Sequence, residues 1–400
     1  MTSRPLHAVL LRPAEAGGRL LEALAAALDG TGPAILPLDP GLPRDRLASL
    51  LAAFAPTAVE SPDGVTPLAP PGPAATSRPG VAPEVAVVIA TSGSTGPPKG
   101  TELSAAALVA SARASLRRIG ARPGERWLCC LPPSHVAGLQ VLVRSLLAGP
   151  APVVSGRLTA GTISASGCAY TSLVPTQLRR LVDAGADLAA LRTILLGGAA
   201  IPAGLLAAAR AAGGTVVTTY GMSETCGGCV YDGIPLDDVS AQVGQDGRIR
   251  IAGPVLFSGY RLRPGLSARA RDGRWFITSD LGSVTASGRL VVRGRADDVI
   301  ITGGEKVVAS EVAAVLGSCP GVREAAVVGR PDPEWGEVVT AVVVPADPAA
   351  PPALDALRAH ARGRLPGYAA PRAVELVAQI PLLASGKPDL ERLRDPGTAT

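Results

Sequence analysis

The sequence has few aromatic residues, few lysines and no long apolar run, and each shortage excludes a class of function. Only 3% of its 400 residues are aromatic, too few to supply base-stacking side chains for nucleic acids. No run of eighteen apolar residues predicts a transmembrane helix. The first residues lack the apolar core of a signal peptide, so the six cysteines are expected to be reduced. We therefore predict a cytoplasmic protein without nucleic-acid binding or membrane insertion; its oligomeric state, a homo-oligomer included, stays open.

Lysine is rare, with three lysines against thirty-five arginines. All three, Lys99, Lys306 and Lys387, lie in glycine-flanked segments. Because the composition favours arginine so strongly, we expect each lysine where a compact ammonium group on a flexible stem is required. The net charge of +5 comes without a basic block and suits a polyanionic small ligand.

The pair Cys226-Gly-Gly-Cys229 has the spacing of a zinc or redox site. A zinc site would need a second pair of ligands, and the histidines at 7, 135 and 360 are not suitably spaced for that role. The motif therefore does not predict a metal centre.

The order of apolar runs and turn signals predicts an α/β protein. From residue 85 to about 220, strand-like runs alternate with helical patterns, which indicates a mostly parallel, helix-covered sheet. After residue 245, short alternating runs separated by Asp-Gly and Ser-Gly turns predict a subdomain of antiparallel β-hairpins. Pro56–Pro83 is rich in Pro, Gly and Ala and is expected to be a surface connection. We predict a large N-terminal domain over residues 1–294 and a small α+β C-terminal domain over residues 295–400.

The decapeptide TSGSTGPPKG, residues 91–100, is the most informative motif. It follows an apolar run, Val85–Ala90, that predicts a buried strand. Glycines and hydroxyl residues after a strand expose backbone N–H groups and hydroxyls to phosphate oxygens. The segment is not a Walker P-loop, because Pro98 stands where that motif has glycine before its lysine.

This decapeptide resembles the phosphate loop of the adenylate-forming superfamily, which includes acyl-CoA synthetases, peptide-synthetase adenylation domains and luciferases. Further segments agree in order and spacing, so the resemblance runs from about residue 85 to the end of the chain. They are PPSHVAGL (132–139), LGGAAIP (196–202), YGMSET (220–225), GPVLFSGY (253–260), TSDLG (278–282), GRADDVIITGGEKV (294–307), LPGYAAP (365–371) and PLLASGKPDL (381–390).

The resemblance implies a role for individual residues. Glu224 is expected to bind Mg²⁺, and Asp280 to accept hydrogen bonds from both ribose hydroxyls. Lys387 is expected to be the catalytic lysine, and Asp297 the hinge on which a mobile C-terminal domain turns. Contacts with the ATP phosphates, the nucleotide and CoA are expected from Thr91, Ser92, Gly93, Ser94, Thr95, Gly96, Lys99, Gly198, Ala199, Tyr220, Gly221, Met222, Ser223, Thr225, Arg295, Gly303, Gly304 and Lys306.

The chain departs from the family pattern at two positions. Ser279 stands where the family more often has glycine, beside the expected ribose ligand Asp280. Leu390 stands three residues after Lys387, where an arginine is frequent. The second departure affects the expected supporting contacts of the lysine and leaves its assignment unchanged.

Two segments, Ser172–Leu181 and Tyr220–Gly233, resemble o-succinylbenzoate–CoA ligases of menaquinone biosynthesis. The implied reaction uses ATP, Mg²⁺ and CoA as co-substrate, and it passes through an acyl-adenylate. The residues expected to line the acid pocket are small or polar, which disfavours a long fatty acid; they are His135, with a catalytic role as well, Ser172, Thr176, Thr219, Cys226 and Gly227. No donor to the second carboxylate of that acid can be assigned from the sequence.

Three other functions remain open at this point. The chain could be another aryl- or acyl-CoA ligase, or a stand-alone adenylation enzyme that loads a carrier protein. The choice of acceptor separates these, because CoA needs sites for its nucleotide and a carrier protein needs a docking surface. A nucleotide-binding pseudoenzyme is the third, and ATP binding without pyrophosphate release would favour it.

Overall fold

The computed structural model describes residues 3–11, 16–69, 78–91, 98–382 and 388–395. Six of the predicted site residues lie outside the described residues; they are Ser92, Gly93, Ser94, Thr95, Gly96 and Lys387. Within the described part, the strands form four sheets.

The first sheet is built mainly from the N-terminal hundred residues. Its strands are β1 (Leu6–Val9), β2 (Ala34–Pro37), β3 (Ala58–Ser61), β4 (Gly64–Pro67), β5 (Val85–Thr91) and β6 (Lys99–Ser104). They lie in the order β6-β5-β2-β1-β3-β4, and the later strand Gly259–Tyr260 joins β6. Its helical segments are the π-helix Ala16–Leu20, α1 (Leu21–Asp29), α2 (Arg44–Phe54) and α3 (Ala105–Arg118). The expectation that Pro56–Pro83 is only a connection is wrong at its start, because β3 pairs with β1 and buries Ala58.

The second sheet confirms the predicted alternation of strands and helices. Its strands are β7 (Trp127–Cys129), β8 (Val153–Val154), β9 (Tyr170–Leu173), β10 (Thr193–Gly197), β11 (Val216–Met222), β12 (Gly227–Tyr231) and β13 (Ile234–Pro235). Its helices are α4 (Val136–Ala148), α5 (Ala160–Ser166), α6 (Pro175–Asp183) and α7 (Ala203–Ala211), with 3₁₀ turns at Leu188–Ala190 and Ser223–Thr225. The order is β13-β12-β11-β10-β9-β7-β8, and all pairs from β8 to β11 are parallel. The carboxyl ends of β9, β10 and β11 therefore share one edge.

The third sheet is antiparallel, as the turn signals predict. The elements of this region are β14 (Ser240–Val243), β15 (Arg248–Ala252), β16 (Gly259–Tyr260), α8 (Pro264–Arg269), β17 (Arg271–Asp272), β18 (Trp275–Val284) and β19 (Leu290–Arg295). Strand β16 belongs to the first sheet, and the others form the order β14-β15-β18-β17 with β19 on β18.

The fourth sheet lies in the C-terminal part. Its elements are the 3₁₀ turn Ala296–Asp298, β20 (Val299–Thr302), β21 (Glu305–Val308), α9 (Ala309–Leu316), β22 (Val322–Asp332), β23 (Gly336–Pro345), α10 (Leu354–Arg362), the 3₁₀ turn Gly367–Ala369, β24 (Ala373–Leu376) and α11 (Leu390–Arg394). Its order is β21-β20-β23-β22, with β24 parallel to β23.

The apolar cores separate the large and small parts of the molecule. One core joins side chains of the first three sheets, from Val9 to Leu290, whereas another is made only of residues from Ile300 to Ala370. The predicted α/β class, with a large N-terminal and a small C-terminal domain, is confirmed; the boundary at residues 294 and 295 stays a prediction. No helix in the described residues has the length and apolar character needed to span a membrane.

Candidate active site

The two ends of the predicted phosphate loop are fixed to each other. Thr91 ends β5, Lys99 begins β6, and these two residues are paired in the antiparallel ladder. The Thr91 hydroxyl also donates to the main-chain oxygen of Lys99 at 3.2 Å. The ammonium group of Lys99 lies 5.9 Å from the centre of the Tyr260 ring. The residues that flank the loop therefore hold its exit beside β16.

The turn after β11 positions Glu224 through close backbone packing. A side chain at Gly221 would lie 2.0 Å from the main-chain oxygen of Gly227, so only glycine fits there. The Thr225 hydroxyl accepts from the N–H of Met222 at 2.9 Å and lies 2.7 Å from the Gly227 oxygen. Glu224 stands in this turn, half-buried, and its Oε1 accepts a hydrogen bond from the Tyr260 hydroxyl at 2.8 Å.

Asp280 has an equivalent tyrosine partner. The Tyr220 hydroxyl donates to Asp280 Oδ2 at 2.8 Å, and Arg295 Nη1 lies 3.6 Å from Oδ1. Asp280 and Arg295 are paired residues of β18 and β19, so the ladder sets this ion pair. Burial, followed by the charge of Asp280, raises the pKa of Tyr220, and its hydroxyl therefore stays a donor at neutral pH.

The predicted hinge residue, Asp297, contacts the same arginine. Arg295 Nη2 donates to Asp297 Oδ2 at 2.7 Å. Burial of Arg295 opposes its charge, but the hydrogen bond that it donates to Asp297 and the charges of Asp280, Asp297 and Asp298 together raise the pKa of Arg295. The Ser310 hydroxyl donates to the main-chain oxygen of Arg293 at 2.8 Å across the two parts of the chain.

The residues expected to approach CoA lie together in one exposed hairpin. Gly303 and Gly304 form the turn between β20 and β21 and have φ angles of 59° and 83°, which favour glycine. Lys306 follows on β21, exposed and opposite Ile301. Trp335 covers the turn, since a side chain at Gly303 would lie 2.8 Å from its ring.

The acid-pocket residues lie at the edge of the second sheet and beside it. Ser172 is buried in β9, and Gly197 of β10 pairs with Thr219 of β11. Gly198 follows with a φ of 85°, and Ala199 comes next. Thr176 lies in the first turn of α6, His135 precedes α4, and Cys226 and Gly227 join the Glu224 turn to β12.

The cysteine pair of this region is buried and reduced. All six cysteines are free, and Cys226 and Cys229 are both fully buried. Burial raises the pKa of the Cys226 thiol and, opposed by a hydrogen bond from Thr225, raises that of Cys229 to about 12. Among the described residues, no group of three or more His, Cys, Asp or Glu side chains could hold a metal ion by itself.

Sequence reasoning missed Arg144, which the structure brings to Ser172. Arg144 is 5% exposed on α4, and its Nη2 donates to the Ser172 hydroxyl at 3.0 Å. Its Nη1 lies 3.4 Å from Ser115 Oγ, and its guanidinium stacks 4.5 Å over the Trp127 ring. Burial lowers the pKa of Arg144, partly offset by Tyr231 and Cys129. The available signal was one charge in an otherwise uncharged, mostly apolar helix, VAGLQVLVRSLLA.

Arg144 has no carboxylate partner among the described residues, and its Nε has no hydrogen-bond partner there. One helical turn earlier, Gln140 is 2% exposed, and its Oε1 also lacks a partner within that part of the chain. A side chain at Gly227 would lie 3.4 Å from Gln140 Cγ, so these groups adjoin the predicted acid pocket. We call Arg144, Gln140, Ser172 and Gly227 the acid-side cluster.

Comparisons with known proteins identify the family of the chain. Residues 60–261 match the AMP-binding enzyme family and residues 311–387 match the AMP-binding enzyme C-terminal domain. The chain is 49% identical over 320 residues to a probable 2-succinylbenzoate–CoA ligase of Mycobacterium tuberculosis, covering 76% of this chain and 83% of the relative.

Solved structures of the o-succinylbenzoate CoA synthetase of Bacillus subtilis are similar along the whole chain. The complex with the acyl-adenylate intermediate is 27% identical, with a TM-score of 0.81 over 100% of this chain and 90% of that one. The complex with ATP and magnesium is 26% identical, with a TM-score of 0.81 over 99% and 90%.

The chain therefore belongs to the AMP-binding enzyme family, and it is an adenylate-forming acid–CoA ligase, an acid–thiol ligase that forms AMP. The resemblance identified from the phosphate loop and the later motifs is confirmed.

Proposed function

We propose that the acid is o-succinylbenzoate, which the enzyme converts to o-succinylbenzoyl-CoA. The observation that carries the proposal is the buried guanidinium of Arg144, which contacts hydroxyls and a ring but no carboxylate of the described residues, beside the predicted pocket residue Ser172. An acid with a second carboxylate supplies the missing negative charge. The names of the M. tuberculosis relative and the B. subtilis synthetase, which both specify this acid, support the same choice.

The energetics of burial favour a charged ligand at Arg144. Burying an ion in a protein costs roughly several kcal/mol, even after the surrounding structure relaxes. Hydroxyl acceptors such as Ser172 compensate only part of that cost. A carboxylate facing the guanidinium would form a charge-assisted pair, which is among the strongest hydrogen-bonded contacts in proteins. Because Gly227 has no side chain beside Gln140, the aromatic ring of such an acid would lie against the main chain at this position.

The first half-reaction would be adenylation. An oxygen of the substrate's other carboxylate attacks the α-phosphorus of ATP, the bond from that phosphorus to the β-bridging oxygen breaks, and pyrophosphate leaves. Because two anions must approach each other, stabilisation of charge in the transition state decides the rate. We assign this work to Lys387, with the loop residues at positions 91–96 and Lys99 holding the phosphates.

The nucleotide would be held by groups from two sheets. Asp280, fixed by Tyr220, would accept from the ribose hydroxyls, and Arg295 would contact ribose or phosphate. The donor set fits Mg²⁺, because in nucleotide sites this ion uses one or two carboxylates together with phosphate oxygens. Glu224 would be the protein ligand, and the bound ion would neutralise charge on the β- and γ-phosphates.

The second half-reaction would use the C-terminal part of the chain. The CoA sulfur, as a thiolate, attacks the carbonyl carbon of the acyl-adenylate; the carbon–oxygen bond to AMP breaks, and AMP leaves with the electron pair. We propose that the domains meet at residues 294 and 295 and turn about Asp297. That rotation would bring the hairpin of Gly303, Gly304 and Lys306 to the site.

The test is ATP-dependent pyrophosphate release with a panel of carboxylic acids, measured with and without CoA. The panel includes o-succinylbenzoate and the matched keto acid that lacks the ring carboxylate. We expect thioester formation from o-succinylbenzoate, with kcat/KM at least about tenfold above the matched acid, because one charge-assisted contact is worth about 1.5–3 kcal/mol.

Each other result would replace the proposal with one of the alternatives. Equal or better turnover of another acid would move the substrate and keep the family chemistry. Adenylate formation with transfer only to a carrier protein would indicate a loading enzyme. ATP binding without pyrophosphate release from any acid would indicate a nucleotide-binding pseudoenzyme.

A further inference from the structure

One short segment, Phe257–Tyr260, holds Glu224 at two points. The Tyr260 hydroxyl donates to Glu224 Oε1 at 2.8 Å, and the N–H of Phe257 donates to the main-chain oxygen of Glu224 at 2.9 Å. Glu224 follows β11 of the second sheet, and both its backbone and its carboxylate are therefore bonded to the segment that leads into β16 of the first sheet. Within the described residues, no hydrogen bond or ion pair engages Glu224 Oε2.

Tyr260 is itself rigidly placed. It is 8% exposed, and its strand β16 pairs with β6 so that Tyr260 stands opposite Thr101. The N–H of Tyr260 donates to the Ser267 hydroxyl at 2.8 Å. Its ring packs against Phe257 with ring centres 4.9 Å apart. The direction of the phenol O–H is thus set by the backbone and by ring packing.

The same tyrosine ring faces the exit of the phosphate loop. Lys99 Nζ lies 5.9 Å from the ring centre, within the range of a cation–π contact. Lys99 begins β6, the strand beside β16. Tyr260 therefore touches two groups of opposite charge that come from separate motifs.

We propose that Tyr260 is a positioning residue for the metal-binding carboxylate. Its hydroxyl donates to Oε1 of Glu224, which leaves Oε2 to bind the Mg²⁺ that would accompany the triphosphate. This inference rests on the proposed role of Glu224 as the Mg²⁺ ligand. Replacing a group that orients a metal ligand in this way typically lowers metal affinity about 10- to 100-fold.

The test is Tyr260→Phe, which removes the hydroxyl and keeps the ring. Mn²⁺ binding to the enzyme–ATP complex, followed by the loss of the free-ion EPR signal, gives a readout independent of turnover. We expect about tenfold weaker Mn²⁺ binding, unchanged ATP binding in the presence of EDTA, and recovery of the adenylation rate at high Mg²⁺. Mn²⁺ affinity within twofold of the wild type would overturn the inference.

Tyr170→Phe is the matched control. Tyr170 also donates its hydroxyl to a glutamate, Glu125, but on β9, away from the Glu224 turn. This variant should bind Mn²⁺ like the wild type. If both phenylalanine variants weaken Mn²⁺ binding equally, the effect is not specific to Glu224 and the inference is wrong.

A double-mutant cycle with Glu224→Gln separates this inference from the proposed function. If Tyr260 acts through Glu224, Tyr260→Phe adds no further loss of Mn²⁺ affinity in the glutamine background; an additive loss would contradict it. Wild-type affinity in Glu224→Gln alone would remove Glu224 from the metal site. Should Tyr260→Phe not fold, Ser267→Ala, which frees the backbone of Tyr260, should give a smaller loss of the same sign, and no change there would overturn the inference.

Discussion

The residues proposed to bind the nucleotide, here the nucleotide side, and the acid-side cluster, here the acid side, differ in how their charged groups are paired. On the nucleotide side, Asp280 and Glu224 each accept a hydrogen bond from a tyrosine hydroxyl at 2.8 Å. On the acid side, Arg144 is more deeply buried and has no carboxylate partner among the described residues. The two carboxylates already have hydrogen-bond donors, whereas the guanidinium of Arg144 has hydroxyl and ring contacts but no carboxylate contact within the described part of the chain. Variants of the two sides should therefore fail in different ways.

The largest effect should come from Lys387, because its proposed role in adenylation involves both the acid and ATP. Lys387→Ala should slow adenylation of every acid by about 10²–10³-fold, because it removes a cation that stabilises the transition state. Single-turnover pyrophosphate release measures this step. Lys306→Ala is the matched control, because it also removes one lysine amine. It should leave the adenylation rate unchanged and slow thioester formation. Equal adenylation rates in Lys387→Ala and wild type would remove the lysine from the mechanism.

Arg144→Met should affect the acid side alone. We expect kcat/KM for o-succinylbenzoate to fall about 10- to 100-fold, the value of a hydrogen-bonded charge pair, with little change for the matched acid without the ring carboxylate. The melting temperature should stay equal or rise, because the variant removes an uncompensated buried charge.

The stability measurement distinguishes a binding role from a structural one. A purely structural Arg144 would give a lower melting temperature and equal losses with both acids. Arg144→Lys keeps the charge without the planar fork, so it should retain part of the preference for the dicarboxylate.

Tyr220→Phe should affect the nucleotide side by a smaller factor. The variant removes the hydrogen bond from Tyr220 to Asp280 and keeps the ion pair with Arg295. ATP should therefore bind about 3- to 10-fold more weakly. The loss should be the same whichever acid is present, as measured by calorimetric titration with ATP. A loss that depends on the acid would contradict the separation of the two sides.

The smallest effect concerns the buried thiol of Cys229 on β12, the strand that begins at Gly227. With a pKa of about 12, Cys229 should be almost entirely protonated at pH 8 and react slowly with a thiol reagent until urea unfolds the protein. Because folding raises this pKa above the ordinary value of 9.0, its contribution to stability is complete below pH 9 and is lost as the pH rises toward 12.

Urea unfolding at several pH values checks that sign. The free energy of unfolding should decline above pH 9, and Cys229→Ala should reduce the slope. A Cys229 that reacts rapidly in the native protein at pH 8 would contradict the burial of this thiol.

Much of the fold was predictable because local patterns are strong in this chain. The apolar runs that predict strands at residues 192–196 and 215–220 correspond to Thr193–Gly197 and Val216–Met222. The helix Ala203–Ala211 lies between these two strands, as the predicted alternation of strands and helices requires. The strands at Ala58–Ser61 and Gly64–Pro67 were not predictable, because Pro and Gly nearby conceal short segments that pairing with β1 stabilises.

The sequence by itself determined the family and the order of the motifs, and it predicts the residues of the nucleotide side. These depend on residue types at fixed spacing, as in TSGSTGPPKG and YGMSET, since turns and phosphate loops form from neighbouring residues. Only the tertiary structure decided the partners: Tyr260 meets Glu224 from 36 positions away, and Arg144 meets Ser172 from 28. Such contacts join separate strands and helices, so their distance and burial follow from how the sheets pack and cannot be obtained from spacing along the chain.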